Sequence, residues 1–413
     1  ETAVVRGGRG RFRDSLVAVQ IAVCLTLLTG AGLFVRGVRR SSYADPGFET
    51  KHLFMMELPY ESLGNTPAER VQRLEEAMRT LKETPQIQSA ALMTFAPLLG
   101  HGTGNFQPLA SQVAFGSDAS RVLYNCVSPD YFQTLGTPLL TGRLFSTQEA
   151  DLDAPLVVIS ERAAARFWPG EDPLGKRLAA PKGFHYNRIG GRTFTVIGVV
   201  KSVRSVVLSK VDPAYIYFPA RCADLPMVLL RTRVPADGAI PAIQEAMRGV
   251  DEPLATQMSL VNVETGPVQL QRLMTETPAI VAAVLGVLGL GLATVGIYGV
   301  VAYLVSERTR EIGVRMAMGA CRGDVLGLVF RQALTPVLWG IPMGLAGSTA
   351  LSVMLRKMVA AAESPDLLFG ANPWSPVPFA GMTLMVVFVV WLASWIPALR
   401  ATRIEPATSL RYE

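Results

Sequence analysis

The chain is poor in the residues from which catalytic and metal centres are built. Its 413 residues include only three histidines, His52, His101 and His185, which lie far apart and in no metal-ligand spacing. It contains neither a Gly-x-Ser-x-Gly elbow nor a His-Glu-x-x-His pair. These absences leave no constellation for nucleophilic or metal-assisted chemistry, and the expectation is a non-catalytic protein with no cofactor or metal site of its own. Charge is scarce too: 17% of residues are charged and 50% hydrophobic, the balance of a membrane protein carrying a substantial soluble part. The formal net charge of +6 is unevenly placed. Residues 38–277 hold 24 basic and 24 acidic side chains, so the excess belongs to the flanking segments. A basic balance confined to membrane flanks points to topology and contact with membrane lipids, and argues against nucleic acid as a partner.

Long apolar runs are abundant. Four of them, Ser15–Val35, Thr277–Ser306, Gln332–Leu355 and Trp374–Leu399, are free of charge. At 1.5 Å per residue, roughly 20 residues cross a hydrocarbon core of about 30 Å. Backbone polar groups in lipid must be satisfied within the segment, so each run is expected to be a helix. The fold class expected is a membrane protein with four transmembrane α-helices, one plus three, and a large α+β extracytoplasmic domain between the first and second. In residue terms this gives a basic lead-in at 1–14, membrane helices at 15–35, 277–306, 325–355 and 374–399, and an outer domain at 36–276. A cytoplasmic loop at 307–324, an outer loop at 356–373 and a cytoplasmic tail at 400–413 complete the plan. Arg308, Arg310, Arg315 and Arg322 in one loop, and Arg400, Arg403 and Arg411 in the tail, place those segments inside by the positive-inside rule. Residues 36–276 are then outside. Arg6, Arg9, Arg11 and Arg13 agree with that orientation, whereas Arg36, Arg39 and Arg40 oppose it. The chain starts at Glu1 without an initiator Met, which suggests a fragment of a longer polypeptide.

Within the outer region, Thr66-Pro67-Ala68-Glu69 combines an N-cap, a proline at the first helical position and a capping-box glutamate. Helices are expected there, over Tyr131–Leu135, over Ala163–Trp168 and from Ile240 to Val250. Strands are expected at Ser89–Thr94, Val122–Val127, Leu156–Ile159, Phe194–Val200, Tyr215–Phe218 and Met227–Val234, which are rich in β-branched and aromatic residues. These elements make an α+β fold, as one body or two lobes. Of the four cysteines, Cys24 lies in a membrane run and Cys321 in the cytoplasmic loop; Cys126 and Cys222 are both outside, as a disulfide or as separate buried thiols. Gly170-Glu-Asp-Pro-Leu-Gly175-Lys176-Arg177 imitates the front of a phosphate-binding loop. However, Arg177 stands where the motif needs a hydroxyl for Mg²⁺, and Pro173 removes a backbone N–H, so the segment is read as a turn.

Two features of the membrane half carry more weight. Ala282, Gly286, Gly289, Ala293 and Gly296 recur in steps of 4, 3, 4 and 3, a stripe of small residues on one helix face that suits a tight packing seam, within the chain or across a dimer. Pro336 and Pro342 predict a kink in the following helix. The segment from Glu307 to Asp324 places Arg308, Glu311 and Arg315 on one helical face, with Ile312, Met316 and Gly319 beside it. That pattern fits a solvated linker or a docking surface for a cytoplasmic partner.

The stretch Ser306-Glu-Arg-Thr-Arg-Glu-Ile-Gly-Val-Arg-Met-Ala-Met-Gly-Ala320 resembles the hallmark loop of FtsX-like permeases of ABC transporters, the MacB-type group. The tail from Ile396 to Arg411 is similar to that family's ending. Ser128–Gly136 and Trp168–Arg177 resemble its periplasmic core domain. The lead-in Arg11–Phe34 looks like the start of the second half of tandem-duplicated permeases. The resemblance implies a permease subunit in the bacterial inner membrane that transmits work from a separate cytoplasmic ABC ATPase, which binds the ATP, to a periplasmic domain, for export or envelope processes. It also implies pairing as a homodimer or with a sister permease half, and possible periplasmic partners. Carried onto this chain, Glu307, Arg308, Arg310, Glu311 and Arg315 form the ATPase-coupling surface, and Gly313 and Gly319 allow close approach. The alternative is a membrane-anchored sensor or scaffold that recruits envelope enzymes without moving a substrate.

Overall fold

The computed structural model describes residues 2–42, 44–59, 63–64, 66–109, 121–182, 189–219, 227–307, 318, 322–361 and 376–401, with side chains for a narrower set. The chain divides into two compact units, Tyr43–Arg272 and the combination of Glu1–Ser42 with Leu273–Glu413.

In the first of these, twelve strands among the described residues form one hydrogen-bonded sheet in the order β12-β1-β11-β2-β5-β10-β7-β9-β8-β4, with β3 on β5 and β6 on β9; of these, β3 is Gly102–Asn105, β4 Gln107–Pro108, β6 Leu139–Gly142 and β8 Arg177–Ala179. Its two halves differ in construction. The first is β1 (Leu53–Glu57), α2 (Pro67–Glu83), β2 (Ile87–Met93), β11 (Met227–Thr232), α6 (Ala236–Val250) and β12 (Ser259–Asn262). The β1–β11, β1–β12 and β2–β11 pairs are all antiparallel, so two βαβ units interleave. The second half is inserted between β2 and β11 and contains β5 (Arg121–Val127), β7 (Leu156–Ser160), β9 (Thr193–Val200) and β10 (Tyr215–Pro219). Here β10 runs parallel to β5 and antiparallel to β7, and β7 parallel to β9. The halves meet at one register pair, Met93↔Val127, flanked by backbone bonds from the Thr94 N–H to the Cys126 carbonyl and from the Ser128 N–H to the Leu92 carbonyl. The apolar core continues across this seam, from Leu74, Leu81 and Ile243 to Phe106, Phe194 and Phe218.

Local signals account for most boundaries. Thr66 caps α2 with its side chain on the Glu69 N–H, and Glu69 returns the bond to the Thr66 N–H. Helix α6 starts at Ala236, four residues before the Ile240 start expected from sequence, because Pro235 takes the N-cap position. Pro241 is then accommodated inside the helix. Strand β11 correspondingly stops at Thr232.

The second unit holds the apolar helices α1 (Thr2–Ser42), α8 (Gln269–Glu307), α9 (Arg322–Ala361) and α10 (Pro376–Ala401). Helix α8 begins within the Tyr43–Arg272 unit, the region expected from sequence to be the outer domain, directly after a π-helical turn at Glu264–Val268. Among the described residues three segments are long and apolar enough to cross a membrane, Ser15–Arg39, Glu264–Tyr303 and Thr335–Met354, and Phe379–Trp395 is a shorter apolar helix. Pro336 and Pro342 both lie inside the helical span of α9. Hydroxyls in these helices are satisfied within them: Thr29 donates to the Leu25 carbonyl at 2.7 Å and Ser394 to Val390 at 2.8 Å.

Candidate functional site

The packing of the membrane unit centres on α1. Ile21, Leu25 and Thr29 are completely buried, and α1 faces two glycine stripes. Along α8, a Cβ on Gly286 would stand 2.9 Å from Leu28 Cδ2, one on Gly289 3.8 Å from Cys24 Cα, and one on Gly296 2.7 Å from Gln20 Oε1. Ala293 is buried in the same cluster as Cys24 and Leu28, and Ala282 packs beside Leu33 and Phe34. All five small residues therefore meet α1 or its immediate cluster within one chain.

The second stripe, on α9, is tighter. A Cβ on Gly340 would lie 2.8 Å from Ile21 Cβ and 2.9 Å from the Ala18 carbonyl oxygen; on Gly344, 2.9 Å from Leu25 Cβ and 3.0 Å from the Ala22 oxygen. On Gly347 it would meet Thr26 Oγ1 at 2.6 Å. Thr26 Oγ1 donates to its own helix at Ala22, 2.8 Å, and across to the Gly344 carbonyl at 3.2 Å. Gly340, Gly344 and Gly347 have the same 4, 3 spacing as the α8 stripe, and that spacing is the signal by which sequence could find them.

Of the coupling residues, Glu307 is the last residue of α8. Arg308, Arg310, Glu311, Gly313, Arg315 and Gly319 lie outside the described residues, as do Cys222, Cys321 and His185. Cys126 is buried in β5.

The phosphate-loop look-alike is a self-contained turn. It follows α5 (Glu161–Phe167) and enters the strand β8 (Arg177–Ala179), where a nucleotide loop would enter a helix. Lys176 is ion-paired to Glu171 and lies 6.0 Å from the Trp168 ring centroid. The Gly175 N–H donates to the Val196 carbonyl. Among the described residues no group of three or more His, Cys, Asp or Glu could hold a metal ion.

The most elaborate polar cluster is the connection between β9 and β10. Asp212 is buried; its Oδ2 accepts from the Ser205 N–H at 2.8 Å and hydroxyl at 2.6 Å, and its Oδ1 from the Val206 N–H at 3.1 Å. Burial pushes the Asp212 carboxyl up to about 6, against the opposing pull of these bonds and of Arg162. Tyr131, Tyr215 and Tyr217 face it, and burial foremost, with the Asp212 charge, raises all three phenols. The folded carboxyl value lies above the ordinary 3.8, so the folded unit holds this proton more readily than the unfolded chain. Stability from this group therefore grows as pH falls from above 6 towards 4. From pH 7.5 to pH 5, wild type should gain about 1 kcal/mol over Asp212→Asn, read as protease resistance of the outer unit in urea.

Comparison with known proteins decides the family. The FtsX-like permease C-terminal model matches residues 283–406, and the MacB-like periplasmic core domain model matches residues 16–250. The chain belongs to the FtsX-like, MacB-like permease family. Its relatives include the macrolide export ATP-binding/permease protein MacB of Neisseria gonorrhoeae, 27% identical over 59% of this chain and 37% of the relative. Another is the probable export ATP-binding/permease protein MacB of Pseudomonas entomophila, 24% identical over 85% of this chain and 49% of the relative. The chain thus spans half or less of these relatives' length. The periplasmic region of MacB from Actinobacillus actinomycetemcomitans aligns with 55% of this chain and 94% of its own, at 20% identity and a TM-score of 0.36. As a member of this family, the chain is an ABC transporter permease of the membrane, with a large periplasmic domain.

Proposed function

We propose that this MacB-like permease transmits work from a cytoplasmic ABC ATPase to its periplasmic domain, in export or another envelope process. The observation that carries this reading is α8. It begins in the last turn of the outer unit and continues to Glu307 as a helix of 39 residues, about 58 Å long at 1.5 Å per residue. Movement at its cytoplasmic end has an unbroken helical backbone to the outer unit, in which Pro278 omits a single hydrogen bond. Glu307, Arg308, Arg310, Glu311 and Arg315 form the surface that meets the ATPase, and Gly313 and Gly319 let the two backbones approach. ATP is bound and hydrolysed on that partner, and this chain contributes no cofactor site. A homodimer or a sister permease half completes the membrane assembly, which lies in the bacterial inner membrane with its apolar helix faces against lipid.

Exchanging the charges, Glu311→Arg with Arg315→Glu, should leave membrane insertion intact and lower the partner's ATPase stimulation at least tenfold in reconstituted vesicles. Unchanged stimulation would remove the coupling assignment. A partner that binds normally while ATP never alters the outer unit would favour a scaffold that recruits envelope enzymes.

A further inference from the structure

Gln271, in the first turn of α8, is buried, with 6% of its surface exposed. Its amide is used at both ends. Oε1 accepts from the Leu208 N–H at 2.9 Å, while Nε2 donates to the Leu98 carbonyl at 3.2 Å and the Val206 carbonyl at 3.1 Å. Both of its hydrogens are therefore committed, a demand that no other side chain of this size meets in this geometry. Leu98 belongs to the connection between β2 and β3 (Gly102–Asn105), and Val206 and Leu208 to the connection between β9 and β10. The two connections are also joined directly, by the Leu98 N–H to the Ser205 carbonyl at 2.5 Å. Leu98 has φ +66°, a left-handed conformation that a leucine adopts at a cost. Bonds to Ser205 and Gln271 on its two sides hold it there.

The topology gives this clasp its meaning. Helix α8 follows β12, in the first half of the sheet, whereas β3, β9 and β10 belong to the second half. The sheet joins these halves at one register pair. The first half is itself tied to the start of α8: Asn262 accepts from the Glu264 and Thr265 N–H groups, and Glu264 pairs with Arg272 and accepts from Thr50. We infer that Gln271 is a positioning residue that clasps the second half of the periplasmic sheet to the first turn of α8, so that displacement of this helix moves both halves together. This inference rests on the proposed transmission role and names the residue through which the far half receives the motion. Besides that pair, the halves share backbone bonds from Thr94 to Cys126 and from Ser128 to Leu92, and Arg231 of β11 reaches Thr134 and Leu135, but none of these involves α8. Three bonds of one buried amide, each worth about 1 kcal/mol and exposed to loss together, tie the second half to α8 itself.

The test is hydrogen–deuterium exchange on the full chain in nanodiscs with its co-purified ATPase, with and without Mg-ATP. The wild type should show ATP-dependent exchange changes in peptides covering residues 96–100 and 203–212. In Gln271→Leu the basal exchange of residues 203–208 should rise about tenfold, as expected when a buried bond of this kind is lost. Peptides of α2 should keep their wild-type rate, ATP turnover should continue, and the ATP-dependent change at 203–212 should disappear. If Gln271→Leu is not recovered folded, Gln271→Glu serves. It keeps the acceptor for Leu208 but sets an oxygen against the Leu98 and Val206 carbonyls, and should give the same loss. ATP-dependent changes that persist in the variant would overturn the clasp and leave the transmission role standing. A wild type whose outer unit never responds to ATP would overturn the transmission role and the clasp with it.

Discussion

Replacing Gly344 with leucine should separate α9 from α1 and destabilise the membrane unit by about 3 kcal/mol or more, read as a lowered melting temperature in detergent. Even a methyl group at this position would stand 3.0 Å from the Ala22 carbonyl oxygen and 2.9 Å from Leu25 Cβ, and neither can swing away. Overpacking of this kind typically costs 1–3 kcal/mol for small additions, and a leucine adds three further carbons. It would also remove the close approach that lets Thr26 reach the Gly344 carbonyl. Gly340→Leu should behave alike, because the Ala18 carbonyl and Ile21 Cβ block it. Gly286→Ala should cost far less, since the nearest atom there is the end of the Leu28 side chain, which can rotate. At Gly291 and Gly381 nothing lies within 4 Å, so leucine there should change stability by less than about 0.5 kcal/mol. Equal losses at all these positions would mean that the stripes are not seams.

The second large effect is expected at Arg231 in β11. Its guanidinium is almost fully buried and closes the C-terminus of α3 (Tyr131–Leu135), with Nε donating to Thr134 at 2.8 Å and Nη2 to Leu135 at 3.0 Å. Gly136, at φ +79°, caps that helix, and a Cβ on it would come within 3.1 Å of Arg231 Nη2. Arg231→Met fills the space but leaves two carbonyls without their donors, and should cost about 3 kcal/mol. Protease resistance of the outer unit across a urea series in the full chain measures this loss. Arg231→Lys should lie between the two, because one ammonium cannot reproduce the fork. The ion pair to Glu49 is a lesser matter: the Glu49 side chain is mostly exposed, so Glu49→Gln should cost under about 1 kcal/mol.

How much of this was legible in the amino-acid pattern depended on whether the signal was local. The capping box at Thr66–Glu69 and the β-branched runs of β7 and β9 are local, and they coincide with observed elements to within a residue or two. The apolar runs are local as well, and the fourth contains a shorter apolar stretch, Phe379–Trp395, within α10. Strand β6 (Leu139–Gly142), exposed along its length, and the two-residue β4 (Gln107–Pro108) have no alternation to read and exist through their partners. The stripe Gly340–Gly344–Gly347 shares its segment with Pro336 and Pro342, whose helix-breaking tendency competes with the packing signal. Gln271 stands just ahead of a long apolar run with nothing local to distinguish it. Its importance comes from carbonyls at Leu98 and Val206, far away in sequence. The central place of α1 is likewise non-local, since its glycine-bearing neighbours arrive late in the chain.

That lateness has a consequence for biosynthesis. The backbone seam between Ile21 and Gly340 joins positions about 320 residues apart. At 5–20 residues per second, a ribosome needs roughly 15 to 60 s to make the intervening chain. During that interval α1 resides in the bilayer without the helix that will cover it. The hydroxyls of Thr26 and Thr29 already have acceptors one turn back, at Ala22 and Leu25, so they need no foreign partner while they wait. The bond from Thr26 to Gly344 forms only when α9 is inserted, and it closes the membrane unit after the outer sheet has been made.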